Sequence, residues 1–281
     1  MRAAIAVAAA GLAACASATP PAPPAPEPFR SPRLLEDVAG LSGAEQELQA
    51  RNFLSLLARE RGRRDRPPPP EIAALAPRLA EVVGAAEFRA GLTPPLLVAL
   101  GMIGGGRAEA VLTERARSSR EEEELSAIAA ALGELATPGA VTALAGLGRG
   151  SRSRIRRDAA VALAHTGREE AVPILTRMLE DPDLRVRGAA AVALAAAFRN
   201  ESGRPILKTL LDRTAVEAAI PAEEPKRAER VDRTMASGAG ALAAIRDRSV
   251  IEVLQVTSMD DPSPVVRMAC RDALAILFGK D

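Results

Sequence analysis

An Ala-Leu dipeptide recurs at nearly constant spacing along the chain, each time inside an apolar stretch with helical periodicity. Its copies begin at Ala99, Ala131, Ala162, Ala193, Ala241 and Ala273. The intervals are 32, 31, 31, 48 and 32 residues, so one interval is longer by about 17 residues and the register then resumes. This pattern predicts an array of repeats with one insertion, which we place at about 214–236.

Other columns of the sequence keep the same register. Large aliphatic residues stand thirteen positions after the first alanine of each dipeptide, at Leu112, Leu144, Leu175, Ile206 and Leu254. Six positions before that alanine are Arg156, Arg187 and Arg267, and twelve before it are Asp181 and Asp261. We expect these arginines and aspartates to form a structural ladder, in which each arginine bonds an acidic side chain or a helix-end carbonyl of a neighbouring unit. A basic ladder that grips an anionic partner is the alternative.

Each unit is predicted to consist of two helices. The chain has no Trp, no Tyr and five Phe, and it is rich in the strong helix formers Ala, Leu, Arg and Glu. Residues 181–197 begin with Asp-Pro, a helix-start signal, and residues 169–181 have aliphatic side chains on one helical face. Neither helix can bury its apolar face alone, whereas stacked neighbours can. We therefore predict an all-α protein, an α-solenoid of about five to six helical hairpins over 90–281, with a helical cap at 32–89.

The repeat units resemble a known family. The segments "EDPDLRVRGAAAVALA" and "DDPSPVVRMACRDALAIL" are similar to the core of HEAT repeats, in particular to the short variety found in phycobilin-lyase-type proteins. The resemblance implies that second helices line the concave surface of the array and that binding is the usual task. It also leaves open a phycobilin-lyase-like or other HEAT-fold enzyme or cofactor-handling protein, and a HEAT-fold nucleic-acid binder.

The amino-terminal segment has the composition of a targeting signal. Residues 1–14 carry one early positive charge followed by an apolar run, as secretory signal peptides do. The sequence Leu-Ala-Ala-Cys that ends at Cys15 resembles the bacterial lipobox, which implies lipidation of Cys15; a chance occurrence in an alanine-rich stretch is the alternative. Residues 15–31 include a proline-rich run, which predicts a semi-rigid tether. If the organism is Gram-negative, Ala16 fits the periplasmic side of the outer membrane.

The composition offers little material for catalysis. His165 is the only histidine, so zinc sites and Ser-His-Asp triads are not expected, and we predict no cofactor, no metal and no small-molecule substrate. Lys and Arg number 37 against 36 Asp and Glu, and this balance gives no electrostatic case for nucleic acid. Cys270 lies in an apolar helical pattern and is predicted to be a buried free thiol.

Two groups of cations are candidates for contact with a protein partner. Arg177 and Lys208 occupy the same register, fifteen positions after their alanines, on successive second helices. Lys226, Arg227 and Arg230 lie in the insertion, a kind of segment that often carries recognition in solenoids, although an extension without function is the alternative. We predict a membrane-tethered, non-catalytic scaffold at the bacterial cell envelope that binds a protein through its concave face or its insertion.

Overall fold

A computed structural model describes residues 43–61, 70–85 and 93–279. The predicted signal peptide, Cys15, the tether and part of the cap lie outside the described residues. The described residues form helices and no strands. The helices, in chain order, are α1 Gly43–Arg61, α2 Pro70–Ala73, α3 Ala76–Ala85, α4 Thr93–Ile103, α5 Gly106–Ser118, α6 Glu122–Leu135, α7 Pro138–Leu147, α8 Ser153–Thr166, α9 Val172–Met178, α10 Leu184–Phe198, α11 Arg204–Thr209, α12 Arg213–Ala219, α13 Arg227–Ala244, α14 Ile251–Asp260 and α15 Pro264–Phe278. One-turn 3-10 helices precede α9 and α14, at Glu169–Ala171 and Arg248–Val250.

The helices form two layers, which confirms the predicted α-solenoid. The first layer is α1, α4, α6, α8, α10, α13 and α15, in which each helix packs on the next along the chain. The second-layer helices α3, α5, α7, α9, α11 and α14 each pack beside first-layer helices. All six Ala-Leu dipeptides of the repeat register lie in first-layer helices, and their alanines are at most 4% exposed. The chain is therefore a HEAT-like stack of helical hairpins. None of the described helices is both long enough and apolar enough to cross a lipid bilayer.

Close approach of first-layer helices explains the small residues that follow each dipeptide. A Cβ atom built on Gly101 of α4 would lie 2.2 Å from the carbonyl oxygen of Ala131 in α6, and one on Gly133 would lie 3.1 Å from that of Ala162 in α8. Only a small residue fits at such a distance. The alanine-rich composition is thus a requirement of the stack.

The cap and the helix starts differ in detail from the sequence pattern. Helix α1 packs on α4, and α3 packs on α4 and α5. Within the predicted cap, a turn at residues 74–75 separates α2 from α3.

Before α10 and α15 the Asp-Pro aspartate is not the capping residue. Asp181 instead accepts a hydrogen bond from the Asp183 amide, and Asp261 accepts one from the Ser263 amide, both at 2.9 Å.

The insertion is packed into the stack. Its first part is α12, which packs on α10 and α13, and its second part lengthens α13 to 18 residues. Asp212 begins α12 by accepting hydrogen bonds from the amides of Thr214 and Ala215. Val216 and Ile220 are buried in the same apolar cluster as Val231 of α13. This segment therefore contributes to the core.

Candidate binding surface

A bidentate ion pair joins two consecutive units along the edge of the stack that is formed by the N-termini of the first-layer helices. Arg156 of α8 donates from Nε to Oδ2 of Asp181 at 2.6 Å and from Nη2 to Oδ1 at 2.9 Å. The two side chains are 13% and 8% exposed. Burial by itself would raise the pKa of the Asp181 carboxyl, but hydrogen bonds from Arg156 and the Asp183 amide outweigh burial and lower that pKa. The hydrogen bond to Asp181 raises the pKa of Arg156.

The other two ladder arginines bond backbone carbonyls. Arg187 donates from Nη1 to the carbonyl oxygens of Asp181 and Pro182, at 2.7 and 2.9 Å. Arg267 makes the equivalent bonds to Asp261 and Pro262, at 2.5 and 3.1 Å. These carbonyls belong to the loop before each arginine's own helix rather than to the neighbouring unit expected from the sequence. Of the three ladder arginines, Arg156 is the one whose side chain bonds a carboxylate of the next unit.

Asp261 has a partner that sequence reasoning missed. Arg213, the first residue of α12, donates to both carboxylate oxygens of Asp261 at 2.7 and 3.1 Å and to Asp232 at 2.8 Å. Hydrogen bonding to Asp261 raises the pKa of Arg213. The available signal was the register: Asp212 follows Asp181 by 31 residues, which marks α12 as the start of a unit. The insertion therefore supplies the arginine that anchors the following loop.

One register position on the second-layer helices is exposed in every repeat from α5 onward. The residues fifteen positions after the alanine of each dipeptide, here called the outer column, are Glu114, Gly146, Arg177, Lys208 and Val256. All five are exposed. Among the described residues, no acidic side chain lies within ion-pair distance of Arg177. From α5 to α14 this column changes from acidic through basic to apolar.

Lys208 contributes to contacts inside the protein. Its Nζ lies 3.8 Å from Oδ2 of Asp247, and Nε of Arg204 lies 3.3 Å from the same atom. Asp247 is 5% exposed and also accepts bonds from the Ser249 amide and hydroxyl. Burial alone would raise the pKa of Asp247, but the Ser249 bonds and the charges of Lys208 and Arg204 lower it. Lys208 thus joins α11 to the turn after α13.

The three cations of the insertion have different environments. Arg227 donates to the carbonyl oxygens of Glu217 and Ile220 at the end of α12, at 2.6 and 3.1 Å. Arg230 lies 3.3 Å from the carboxylate of Glu224. Lys226 is 79% exposed and lies 4.0 Å from Glu229. Arg227 and Arg230 therefore hold the turn between α12 and α13, and Lys226 faces solvent.

The described residues contain a shallow depression and no cluster of metal ligands. The depression has a volume of about 510 Å³ and lies between Arg156 and Arg187, with Ala219 of α12 on its edge. No three His, Cys, Asp or Glu side chains in residues 43–61, 70–85 and 93–279 are grouped so that they could hold a metal ion. His165 is exposed in the last turn of α8, next to the turn at Gly167.

Cys270 lies inside α15 and is fully buried as a free thiol, as predicted. Burial, with a smaller contribution from the charge of Asp261, raises the pKa of its thiol to about 11. This thiol is poorly suited to react at neutral pH.

Comparisons with known proteins agree with this architecture. The family model for HEAT repeats matches residues 149–222, which run from the turn before α8 into the connection between α12 and α13. Among curated proteins no significant relative is found. A structure of the complex of CpcE and CpcF of phycocyanin lyase from Nostoc sp. PCC7120 is 28% identical with a TM-score of 0.47, over 61% of this chain and 65% of that chain. The match thus spans less than two thirds of that protein.

Two further similar structures are more distant. Human deoxyhypusine hydroxylase is 22% identical over 87% of this chain and 88% of that chain, with a TM-score of 0.36. A designed armadillo repeat protein is 14% identical over 88% of this chain and 99% of that chain, with a TM-score of 0.36. Because these TM-scores lie below 0.5, the assignment of a HEAT-like solenoid depends on the hairpins themselves and on the HEAT-repeat model.

Proposed function

We propose that this protein is a non-catalytic binding scaffold at the bacterial cell envelope, tethered to the membrane by lipid on Cys15. The observation that carries the binding role is the outer column. It places five exposed positions, four of which carry a side chain, at the same register of successive second-layer helices. A partner that follows this column would make many shallow contacts with a rigid stack, which is how repeat proteins use their extended surfaces.

Within this proposal, Arg177 and Lys226 are the cations that face the partner. Both are exposed, whereas Lys208, Arg227 and Arg230 contact groups inside the protein. A partner with an acidic segment opposite the middle of the column fits this charge pattern, because complementary charges steer association and fix its orientation.

Affinity capture from envelope fractions tests the binding surface. We expect the Arg177→Glu, Lys226→Glu double variant to recover several-fold less of a defined partner than wild type does. Arg154→Glu is the matched control, since Arg154 is an exposed arginine on first-layer helix α8. Equal recovery by all three proteins would contradict a role for this surface.

The tether has a separate test. Cys15→Ala removes the only thiol outside α15 and should move the protein from the detergent phase to the aqueous phase after extraction. A protein that partitions like wild type would show that Cys15 carries no lipid, and this result would leave the binding surface untouched.

A further inference from the structure

Exposed large apolar side chains are concentrated at one end of the stack. Nine such residues occur in the part of the chain that the structure describes, and seven of them lie on α14 and α15. The seven are Val253, Val256, Met259, Val265, Met268, Ile276 and Phe278. Single exposed apolar residues are ordinary, but a contiguous group of this kind marks an interaction surface.

Helix α15 is a first-layer helix that no second-layer helix follows within the described residues. Its counterpart α10 lies 80 residues earlier and shows how, inside the stack, the following second-layer helix covers one face of a first-layer helix. Ala191 and Ala195 of α10 are fully buried, and a Cβ built on Gly203, just before α11, would lie 2.6 Å from the Cβ of Ala191. The same register on α15 is Met268, Arg271, Ala275 and Phe278, which we call the end stripe. All four residues of the end stripe are exposed.

Arg271 prevents the end stripe from being covered in the way that α10 is covered. At the register of Arg271, the five earlier first-layer helices that carry the Ala-Leu dipeptide have fully buried residues: Leu97, Ala129, Ala160, Ala191 and Ala239. Arg271 instead lies across the hairpin, where its Nη2 donates to the carbonyl oxygen of Ser258 at 3.3 Å. A helix as close as α11 is to α10 would bury this guanidinium without a carboxylate partner, which is strongly unfavourable. Whatever covers the end stripe must therefore approach at a greater distance.

The end stripe is complementary to itself. Pro264, Met268, Arg271, Ala275 and Phe278 are spaced alternately four and three residues apart, which is the spacing of a coiled-coil seam. When two such helices run antiparallel about a two-fold axis, Met268 lies opposite Phe278 of the second copy, and Arg271 lies opposite Ala275 of the second copy. The first pairing places a thioether against a ring, and the second places a long side chain against a short one. Asp272 is exposed beside the stripe, and in this arrangement its carboxylate would face Arg271 of the second copy.

We propose that α15 is a dimerisation helix, and that its end stripe packs antiparallel on the same stripe of a second copy of this chain. Such a contact is isologous and closes on itself, so it yields a dimer rather than a fibre. A 15-residue helix is ~22 Å long and the hairpin of α14 and α15 is about 20 Å wide, so its end face offers at most roughly 450 Å² per copy. A standard interface buries ~800 Å² per partner. The dimer is accordingly weak and reversible.

Sedimentation equilibrium tests this dimer on the full chain carrying Cys15→Ser, which prevents lipidation. From about 1 µM to about 1 mM, a range that brackets weak interfaces, we expect the average mass to rise from that of one copy towards that of two. Met268→Glu with Phe278→Glu should lower the association constant at least tenfold. Val161→Glu, a matched control on the outer surface of α8, should leave it unchanged. Because all three sites are about half exposed or more, the helical circular dichroism should be retained.

Either of two results from this experiment would overturn the proposal: a monomer at every concentration, or association of the Met268→Glu, Phe278→Glu variant as strong as that of wild type. Oxidation of cysteine variants then tests the antiparallel geometry. A mixture of Arg271→Cys and Ala275→Cys chains should form disulfide-linked dimers faster than Arg271→Cys alone, because residue 271 faces residue 275 of the second copy. Linkage of Arg271→Cys alone at the same rate would contradict the antiparallel arrangement.

Discussion

The ion pair between Arg156 and Asp181 is expected to contribute strongly to the stability of the stack, because it is a nearly buried, bidentate link between two units. Asp181→Ala removes two hydrogen bonds from the charged Arg156 side chain, each contributing about 1.5–3 kcal/mol. It also removes the bond from the Asp183 amide and leaves Arg156 with little access to water. Loss of one partner of a buried pair costs about 3–5 kcal/mol. Arg156 keeps its bonds to the carbonyl oxygens of Gly150 and Ser151, at 3.1 and 2.9 Å, so we expect the lower end, about 3 kcal/mol.

Urea unfolding followed by circular dichroism measures this cost. For a slope of ~2.5 kcal/mol per M, a loss of about 3 kcal/mol lowers the unfolding midpoint by roughly 1 M. A double-mutant cycle with Arg156→Met isolates the pair and should give a coupling free energy of about 2 kcal/mol. Glu170→Ala is the control, because Glu170 pairs with Arg168 at an exposed site, and it should leave the midpoint unchanged. A coupling near zero would refute the reasoning.

The same pair predicts a pH dependence. The carboxyl pKa of Asp181 is lower in the folded protein than its ordinary value of 3.8. The stability contributed by this carboxylate is therefore fully present above pH ~4 and is lost as the pH falls through the folded-state pKa. The difference in unfolding free energy between wild type and Asp181→Ala should shrink below pH ~4. A difference that stays constant down to pH ~2 would contradict this assignment.

Two further predictions concern packing and the buried thiol. Gly101→Ala should destabilise the protein by about 2 kcal/mol, because the added Cβ meets the Ala131 carbonyl. Gly146→Ala is the control: the space around Gly146 is open, so this substitution should stabilise the protein by about 0.5–1 kcal/mol. Equal urea midpoints for the two variants would refute the close approach of α4 and α6. In a Cys15→Ser background, Cys270 should react with iodoacetamide at pH 8 at least ~100-fold more slowly in the folded than in the unfolded chain. Equal labelling rates would contradict the burial of this thiol. The unfolding free energy should also fall above pH ~9, because there the thiol loses its proton in the unfolded chain but keeps it in the folded one.

The repeat architecture could be predicted because its physical causes are local and periodic. The Ala-Leu register reports the face on which first-layer helices meet, and every copy of it lies in such a helix. The outer surface could be predicted only in part. Lys208 was identified by register, but its contact with Asp247 depends on a turn 39 residues away.

The contacts of the insertion could not be predicted from spacing. The register of Asp212 indicates that a unit begins at α12, but it does not indicate that α12 folds back on α10 and α13, which is what brings Arg213 to Asp261 across 48 residues. The apolar end of the stack has a signal in the sequence: the outer column carries charged residues at Arg177 and Lys208 and an apolar one, Val256, in the last copy. Such a change from charged to apolar within one register indicates a surface that differs from the rest of the array.

The most direct test of the binding role is site-specific photo-crosslinking in intact cells. A benzophenone amino acid at position 177 or 256 of the outer column should capture the same defined protein. The same amino acid at position 161, on the exposed surface of α8, should not capture it. Capture from all three positions alike, or from none, would contradict the claim that the outer column of the second-layer helices is the surface on which this scaffold binds its partner.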